Sequence, residues 1–168
     1  MPTLNVGCGG RPLDKASFEG DVRIDLEHFK AVNMIADAHH LPFRDRSFYW
    51  IYCYEALEHF NSPFLALKEI DRVLKWRGEV EISIPNVWFW HKIARFVLGE
   101  REPYDLPDHK QAWDFYEFER LIRQTNLKIV KFSFGDWYPR KKRYSIEDSL
   151  PDCFRHTHLS FELMKEIE

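Results

Sequence analysis

Short apolar runs punctuate the first half of the chain, and glycine or a polar residue follows most of them. The runs cover residues 3–6, 22–24, 32–36, 48–53 and 80–84. Runs of this length with such boundaries predict strands buried on both faces, as in a parallel sheet. Helical periodicity appears between later runs, and this alternation predicts an α/β fold with a mostly parallel sheet and helices on both faces.

The clearest predicted helix follows the fourth run. Ser62 is a favourable capping residue, Pro63 suits the first helical position, and Gly78 is predicted to end the helix. Its buried face consists of residues at helical spacing: Leu67, Ile70 and Leu74. Beyond residue 86 the pattern predicts helices over 87–98 and 115–124 and strands over 127–134 and 159–164.

Length and composition limit the classes of protein to which the chain can belong. A length of 168 residues predicts a single domain over 1–168, and 45% hydrophobic with 30% charged residues is typical of a globular chain. The formal net charge of −3 argues against a surface built for nucleic acid. The basic run at residues 140–143 is interpreted as a solvated loop, with phosphate binding as the alternative.

Cysteine and histidine usage bears on compartment and metal content. Cys8, Cys53 and Cys153 form no CxxC pair, which argues for a reducing compartment and against a zinc ribbon. Adjacent His39 and His40 would point in opposite directions on an extended segment, so we interpret them as solvated loop residues. The sequence shows neither a signal peptide nor an apolar run of membrane-spanning length, so we expect a cytoplasmic protein. We also expect no metal site.

Glycines and acids at the predicted strand ends carry the candidate chemistry. Gly7, Gly9 and Gly10 follow the first strand and allow a ligand to approach backbone amides closely. Asp25, at the end of the second strand, can accept hydrogen bonds from a ribose diol, and Asp37 ends the third. The dinucleotide fingerprint needs a further glycine where Pro12 stands, so the turn favours a nucleoside without phosphates over a nicotinamide cofactor.

The chain resembles the class I S-adenosylmethionine-dependent methyltransferases, especially a short branch of uncharacterised members. The resemblance rests on LNVGCGG at 4–10, VRID at 22–25, ADAHHLPF at 36–43, SFYWI at 47–51, ALEHF at 56–60, ALKEIDRVLKWRG at 66–78 and ISIPN at 82–86. It implies a Rossmann-like sheet that is completed by a C-terminal antiparallel hairpin, with S-adenosyl-L-methionine as cofactor.

The resemblance also implies roles for individual residues. The turn Asn5, Gly7, Cys8, Gly9 and Gly10 would lie under the methionine part of the cofactor. Asp25 would hold the ribose hydroxyls, Asp37 would accept from the adenine amino group beside the Ala38 backbone, and Tyr54 with Glu55 would line the methionyl end.

The sequence departs from the family pattern at three places. Asn5 stands where an acid is usual, and Arg11 replaces a third glycine. The chain also begins at the first strand, without the helices that usually precede it, so a second copy or a partner chain is a candidate to cover that side.

His59 is the candidate general base, because it follows the fourth strand and an imidazole titrates near neutral pH. A structural histidine is the competing interpretation. Cys8 is interpreted as a packed small residue rather than as a reactive thiol. Glu58 is interpreted as a helix-start or salt-bridging carboxylate rather than as an acid catalyst.

Residues 87–112 form a predicted substrate insert. Trp88 and His91 would belong to a lid over the cofactor, with His109 and Trp113 opposite them around an aromatic substrate pocket. Plain core, a dimer interface and a helix lying on a membrane surface are the alternatives for this aromatic segment.

These features predict methyl transfer to a small molecule, lipid or saccharide. A non-catalytic cofactor-binding or activating subunit is the main alternative, favoured by Asn5 and Arg11. Methylation of RNA or protein and a nicotinamide-dependent reductase are weaker ones, and no stretch resembles an RNA-binding module.

Overall fold

The computed structural model describes residues 2–9, 18–99, 109–135, 151, 153 and 158–166. Seven strands form one sheet: β1 (Thr3–Val6), β2 (Val22–Asp25), β3 (Met34–Ile35), β4 (Phe48–Tyr54), β5 (Leu74–Pro85), β6 (Leu127–Gly135) and β7 (His158–Lys165). Their spatial order is β3-β2-β1-β4-β5-β7-β6.

Strands β1 to β5 pair in parallel, and the chain reverses only at β7. This last strand lies antiparallel between β5 and β6, with Ile82 and Phe132 both opposite Phe161. The structure confirms a mostly parallel sheet completed by two antiparallel-paired C-terminal strands. The third strand is shorter than residues 32–36, because Met34–Ile35 forms an exposed edge with β2 as its partner.

The described helices are a short 3-10 helix (Leu57–His59), α1 (Pro63–Val73), α2 (Trp90–Val97) and α3 (Phe115–Ile122). Helix α1 starts as predicted, with the Ser62 side chain accepting a hydrogen bond from the Leu65 amide. Its predicted end at Gly78 is wrong. The helix stops at Val73 because Leu74 already pairs with Phe48 of β4. Arg77 adopts a left-handed φ of 59° early in β5, where the register with β4 shifts.

One face of the sheet carries the main hydrophobic core. Buried side chains of β4, β5 and β7 cluster there with residues of α1 and α3: Ile51, Cys53, Val80, Ile82, Phe161, Leu67, Ile70, Phe118 and Ile122. Because side chains alternate along a strand, the other face carries Trp50, Tyr52 and Tyr54 of β4, which are only half-buried. None of the helices in the described ranges is long and apolar enough to cross a membrane.

Candidate functional site

The turn after β1 lies at the carboxyl ends of the central strands. The Gly7 and Cys8 amides donate to the Ile24 carbonyl at 2.9 and 3.2 Å, which ties the turn to β2. Gly7 has a φ of +73°, and a Cβ there would lie 2.5 Å from the Ala56 Cβ. Glycine is therefore required both by the backbone conformation and by the close approach to the segment after β4.

Asp25 faces this turn from the end of β2, as predicted. Its Oδ2 accepts the Gly9 amide at 2.9 Å, and a Cβ at Gly9 would lie 2.8 Å from the same oxygen. The Phe29 ring also packs against Gly9, only 1.9 Å from where that Cβ would be. A glycine amide and a half-exposed carboxylate thus share one crevice at the strand ends.

Asp37, after β3, holds a histidine that links two parts of the site. Its Oδ1 accepts the His39 amide at 2.9 Å and contacts the His39 Nδ1 at 2.6 Å, while the His39 Nε2 accepts the Ser62 amide at 3.1 Å. Hydrogen bonds from the His39 backbone and then from its ring lower the pKa of Asp37. The interpretation of His39 as a solvated residue is therefore wrong, because both ring nitrogens are engaged; His40 is exposed, as expected.

We expect His39→Ala to lower the free energy of unfolding by about 1–3 kcal/mol, because it leaves the Ser62 amide without its acceptor and removes the ring contact to Asp37. His40→Ala is the matched control, since His40 is exposed. Urea unfolding of the two variants measures the difference, and equal stability would contradict the linking role.

Two other predicted cofactor residues of the first strand and turn are buried. The Asn5 side chain donates from Nδ2 to the Glu19 carbonyl at 3.2 Å. Burial raises the pKa of the Cys8 thiol to about 11, with the Asp25 charge adding to the effect, so Cys8 is not a reactive thiolate at neutral pH. Gly10 lies outside the described residues. Ala38 is buried beside Asp37.

The two predicted cofactor residues at the end of β4, Tyr54 and Glu55, have different partners. The Tyr54 hydroxyl donates to the Glu81 carboxylate of β5, in a groove on the less buried face of the sheet. Burial and this hydrogen bond to Glu81 raise the pKa of Tyr54. Glu55 has a left-handed φ of 45° and donates its amide to the Ser83 carbonyl at 3.0 Å. Such a backbone in a non-glycine residue costs energy and is common at functional sites.

Glu58, His59 and His109 form a cluster just beyond β4. Their candidate ligand atoms all lie within 4.8 Å of one another. The rings of His59 and His109 meet edge to face with centroids 4.7 Å apart. The structure thus brings the predicted base together with one predicted substrate residue.

Burial strongly perturbs the acid in this cluster. Glu58 is only 1% exposed, and desolvation, reinforced by the nearby Glu55 charge, raises its pKa to about 8. The Lys92 charge acts in the opposite direction. Glu58 lies in the first turn of the 3-10 helix, as its interpretation as a helix-start carboxylate predicts, and its Oε1 lies 3.9 Å from the His59 Nε2.

The remaining predicted substrate residues are dispersed. Trp88 is 49% exposed, and its amide donates to the Asn86 side chain. His91 is exposed and stacks on Phe89. Trp113 is buried in the core, where its ring packs against Phe118, and its substrate role stays a prediction. Within the described residues no ring contact joins Trp88 or His91 to Trp113, so a lid over residues 87–112 stays a prediction.

Comparison with known proteins supports this fold. Residues 4–82 match the family model described as a methyltransferase domain. The chain has the class I S-adenosylmethionine-dependent methyltransferase fold. The resemblance inferred from the sequence motifs is thereby confirmed, and it implies S-adenosylmethionine as the cofactor.

Solved structures agree in fold at low sequence identity. A SAM-dependent methyltransferase from Thermotoga maritima is 15% identical with a TM-score of 0.72, over 98% of this chain and 82% of that one. A second similar structure is the complex of the Haloferax volcanii Trm112 methyltransferase activator with a methyltransferase. The matching chain is 15% identical with a TM-score of 0.67, over 98% of this chain and 82% of that one. A SAM-dependent methyltransferase from Archaeoglobus fulgidus is 16% identical with a TM-score of 0.68, over 97% and 85%. No protein of curated function matches the chain.

The crevice at the strand ends fits this cofactor. A Cβ at Gly9 would collide with the carboxylate of Asp25 and with the Phe29 ring, so only glycine lets the turn lie this close to Asp25. Asp25 places carboxylate oxygens, which can accept hydrogen bonds from hydroxyl groups, at the same point.

Sequence reasoning missed the three-residue cluster and the role of His39. The adjacency of Glu58 and His59 after a strand was a visible signal, but His109 lies 50 positions after His59 at no ligand-type spacing. Only the fold brings it there. Phe29 was also missed, because an aromatic residue in a loop carries no distinguishing pattern.

Proposed function

We propose that the protein transfers a methyl group from S-adenosylmethionine to a small-molecule, lipid or saccharide acceptor. The observation that carries the proposal is the Gly9 amide bonded to Asp25 at the carboxyl ends of the parallel strands, within a methyltransferase domain. Ligands of open α/β sheets bind in this place, and the pairing suits a ribose without phosphates.

Different residues would bind different parts of the cofactor. S-adenosylmethionine supplies a methyl group on a positively charged sulfur. Asp25 would accept from the ribose hydroxyls, and Asp37 would accept from the adenine amino group beside Ala38. The turn at Gly7 and Gly9, with Gly10, would allow close backbone approach, while Asn5 and Cys8 would support the turn from below.

The methyl-donor end would lie beyond β4. Glu55, with Tyr54 beside it, would line this end, and the cluster of Glu58, His59 and His109 would face the acceptor. His59 is 37% exposed there, so an acceptor can reach its ring. The protein would bind both reactants in line and exclude water, as methyl transfer from a sulfonium requires.

A role as a partner-dependent or non-catalytic subunit is the second candidate. Its support is the similar chain from Haloferax volcanii, whose structure is a complex with a methyltransferase activator. In that case the cofactor would bind, but turnover would need the partner.

Cofactor binding tests the proposal through Asp25. Asp25→Ala should weaken S-adenosylhomocysteine binding about 5- to 150-fold, because a hydrogen bond to a carboxylate is worth about 1–3 kcal/mol. Asp45→Ala is the control, since Asp45 is 72% exposed and pairs with Arg72 away from the crevice. Titration calorimetry gives the dissociation constants, and an unchanged value for Asp25→Ala would refute the assignment.

A further inference from the structure

Glu58 is an unusual residue in its surroundings. It is 1% exposed, and among the described residues neither of its carboxylate oxygens has a hydrogen-bond partner. Burying a carboxylate without donors is costly, and proteins compensate for it with protonation, an ion pair or a metal ion. One of its carboxylate oxygens lies within 4.8 Å of an imidazole nitrogen of His59 and of one of His109.

Backbone and side-chain hydrogen bonds hold the cluster together across two chain segments. The Lys110 amide donates to the Glu58 carbonyl at 2.8 Å, and the Lys110 Nζ donates to the Asn61 side chain at 2.8 Å. His109 is thereby fixed beside the 3-10 helix. The cluster is an organised arrangement of donors before any ligand binds.

We propose that Glu58, His59 and His109 bind a divalent transition-metal ion of the zinc class. Two imidazole nitrogens and one carboxylate oxygen form the donor set of catalytic zinc sites, which leave a fourth position open. Neighbouring ligand atoms around tetrahedral zinc lie about 3.4 Å apart, which small side-chain rotations would reach from the present arrangement. Magnesium is disfavoured, because it requires oxygen ligands.

The inference deepens the proposed function and rests on it for the location of the acceptor. His59 offers a cation a point of entry to the cluster, since 37% of its side chain is exposed. A metal ion there would present its fourth position to an acceptor hydroxyl, thiol or amine and favour release of that group's proton to solvent. In this use His59 is a ligand and not a general base, because one lone pair cannot serve both roles.

Titration of the metal-free protein with Co²⁺ tests the site directly. We expect one equivalent to bind with visible absorption bands that show nitrogen and oxygen ligation, and one equivalent of Zn²⁺ to displace it. Glu58→Gln, His59→Asn and His109→Asn should each weaken Co²⁺ binding more than tenfold. His28→Ala and His40→Ala should not, because both residues are exposed and lie outside the cluster.

Two outcomes would overturn the inference. One is a wild-type protein that fails to bind Co²⁺ or Zn²⁺, and the other is a triple variant at positions 58, 59 and 109 that binds as tightly as wild type. Thermal melting of each variant checks that the fold is intact. S-adenosylhomocysteine binding measured in EDTA separates the two proposals: binding without metal affinity refutes only the metal site, and absent binding refutes the proposed function.

Discussion

Gly7→Ala is expected to lower the free energy of unfolding by about 2–5 kcal/mol. Two costs combine at this position. The residue has a left-handed φ of +73°, and the new Cβ would lie 2.5 Å from the Ala56 Cβ. Neither atom belongs to a long flexible side chain, so the turn or the end of β4 must shift.

Gly99 provides a matched control for the backbone contribution. It has the same φ of +73°, but no atom lies within 4 Å of the place that a Cβ would occupy. Gly99→Ala should therefore cost only about 1–2 kcal/mol, which is the contribution of the left-handed conformation alone. Urea unfolding of both variants measures the difference. Equal destabilisation would show that the contact with Ala56 is relieved without cost.

Glu58→Gln should remove a dependence of stability on pH. The folded-state pKa of Glu58 is raised from 4.5 to about 8, so the unfolded chain releases this proton first as the pH rises. The stabilising contribution is therefore fully present below about pH 4.5, is lost progressively up to about pH 8 and is constant above that. At about 1.4 kcal/mol per pKa unit, the wild type should lose a few kcal/mol relative to the glutamine variant across this range.

Several charged and titratable groups near Glu58 affect this experiment. Glu55, Lys92, His59 and His109 all lie around it, so the useful quantity is the difference between wild type and variant at each pH. EDTA keeps metal ions out of the comparison. Parallel stability curves from pH 4 to pH 9 would mean that Glu58 ionises normally despite its burial.

The residues at the strand ends were predictable, because each follows an apolar run in the sequence. Gly7, Gly9 and Asp25 each follow directly from an apolar run, and the parallel sheet then brings them together without further information. Residues that act across long sequence distances were not predictable. His39 reaches Ser62 and His109 reaches His59 only through the packing of separate segments.

Helix α1 shows where local reasoning fails in a different way. Gly78 is a strong helix stop signal, yet the helix ends at Val73, because pairing of Leu74 with Phe48 starts β5 first. Tertiary pairing thus overrides a local signal. The ring of Trp113 lies in the core, and a local pattern of aromatic residues could not predict that position.

The position of β7 in the sheet has a consequence for biosynthesis. Strand β6 joins the rest of the sheet through β7, and β7 is the later of the two to leave the ribosome. Until it does, the backbone groups of β5 and β6 that β7 will pair with remain open, and such open edges invite association between nascent chains. A released chain truncated near residue 150 should therefore bind chaperones that recognise extended segments, whereas a chain that includes β7 should not.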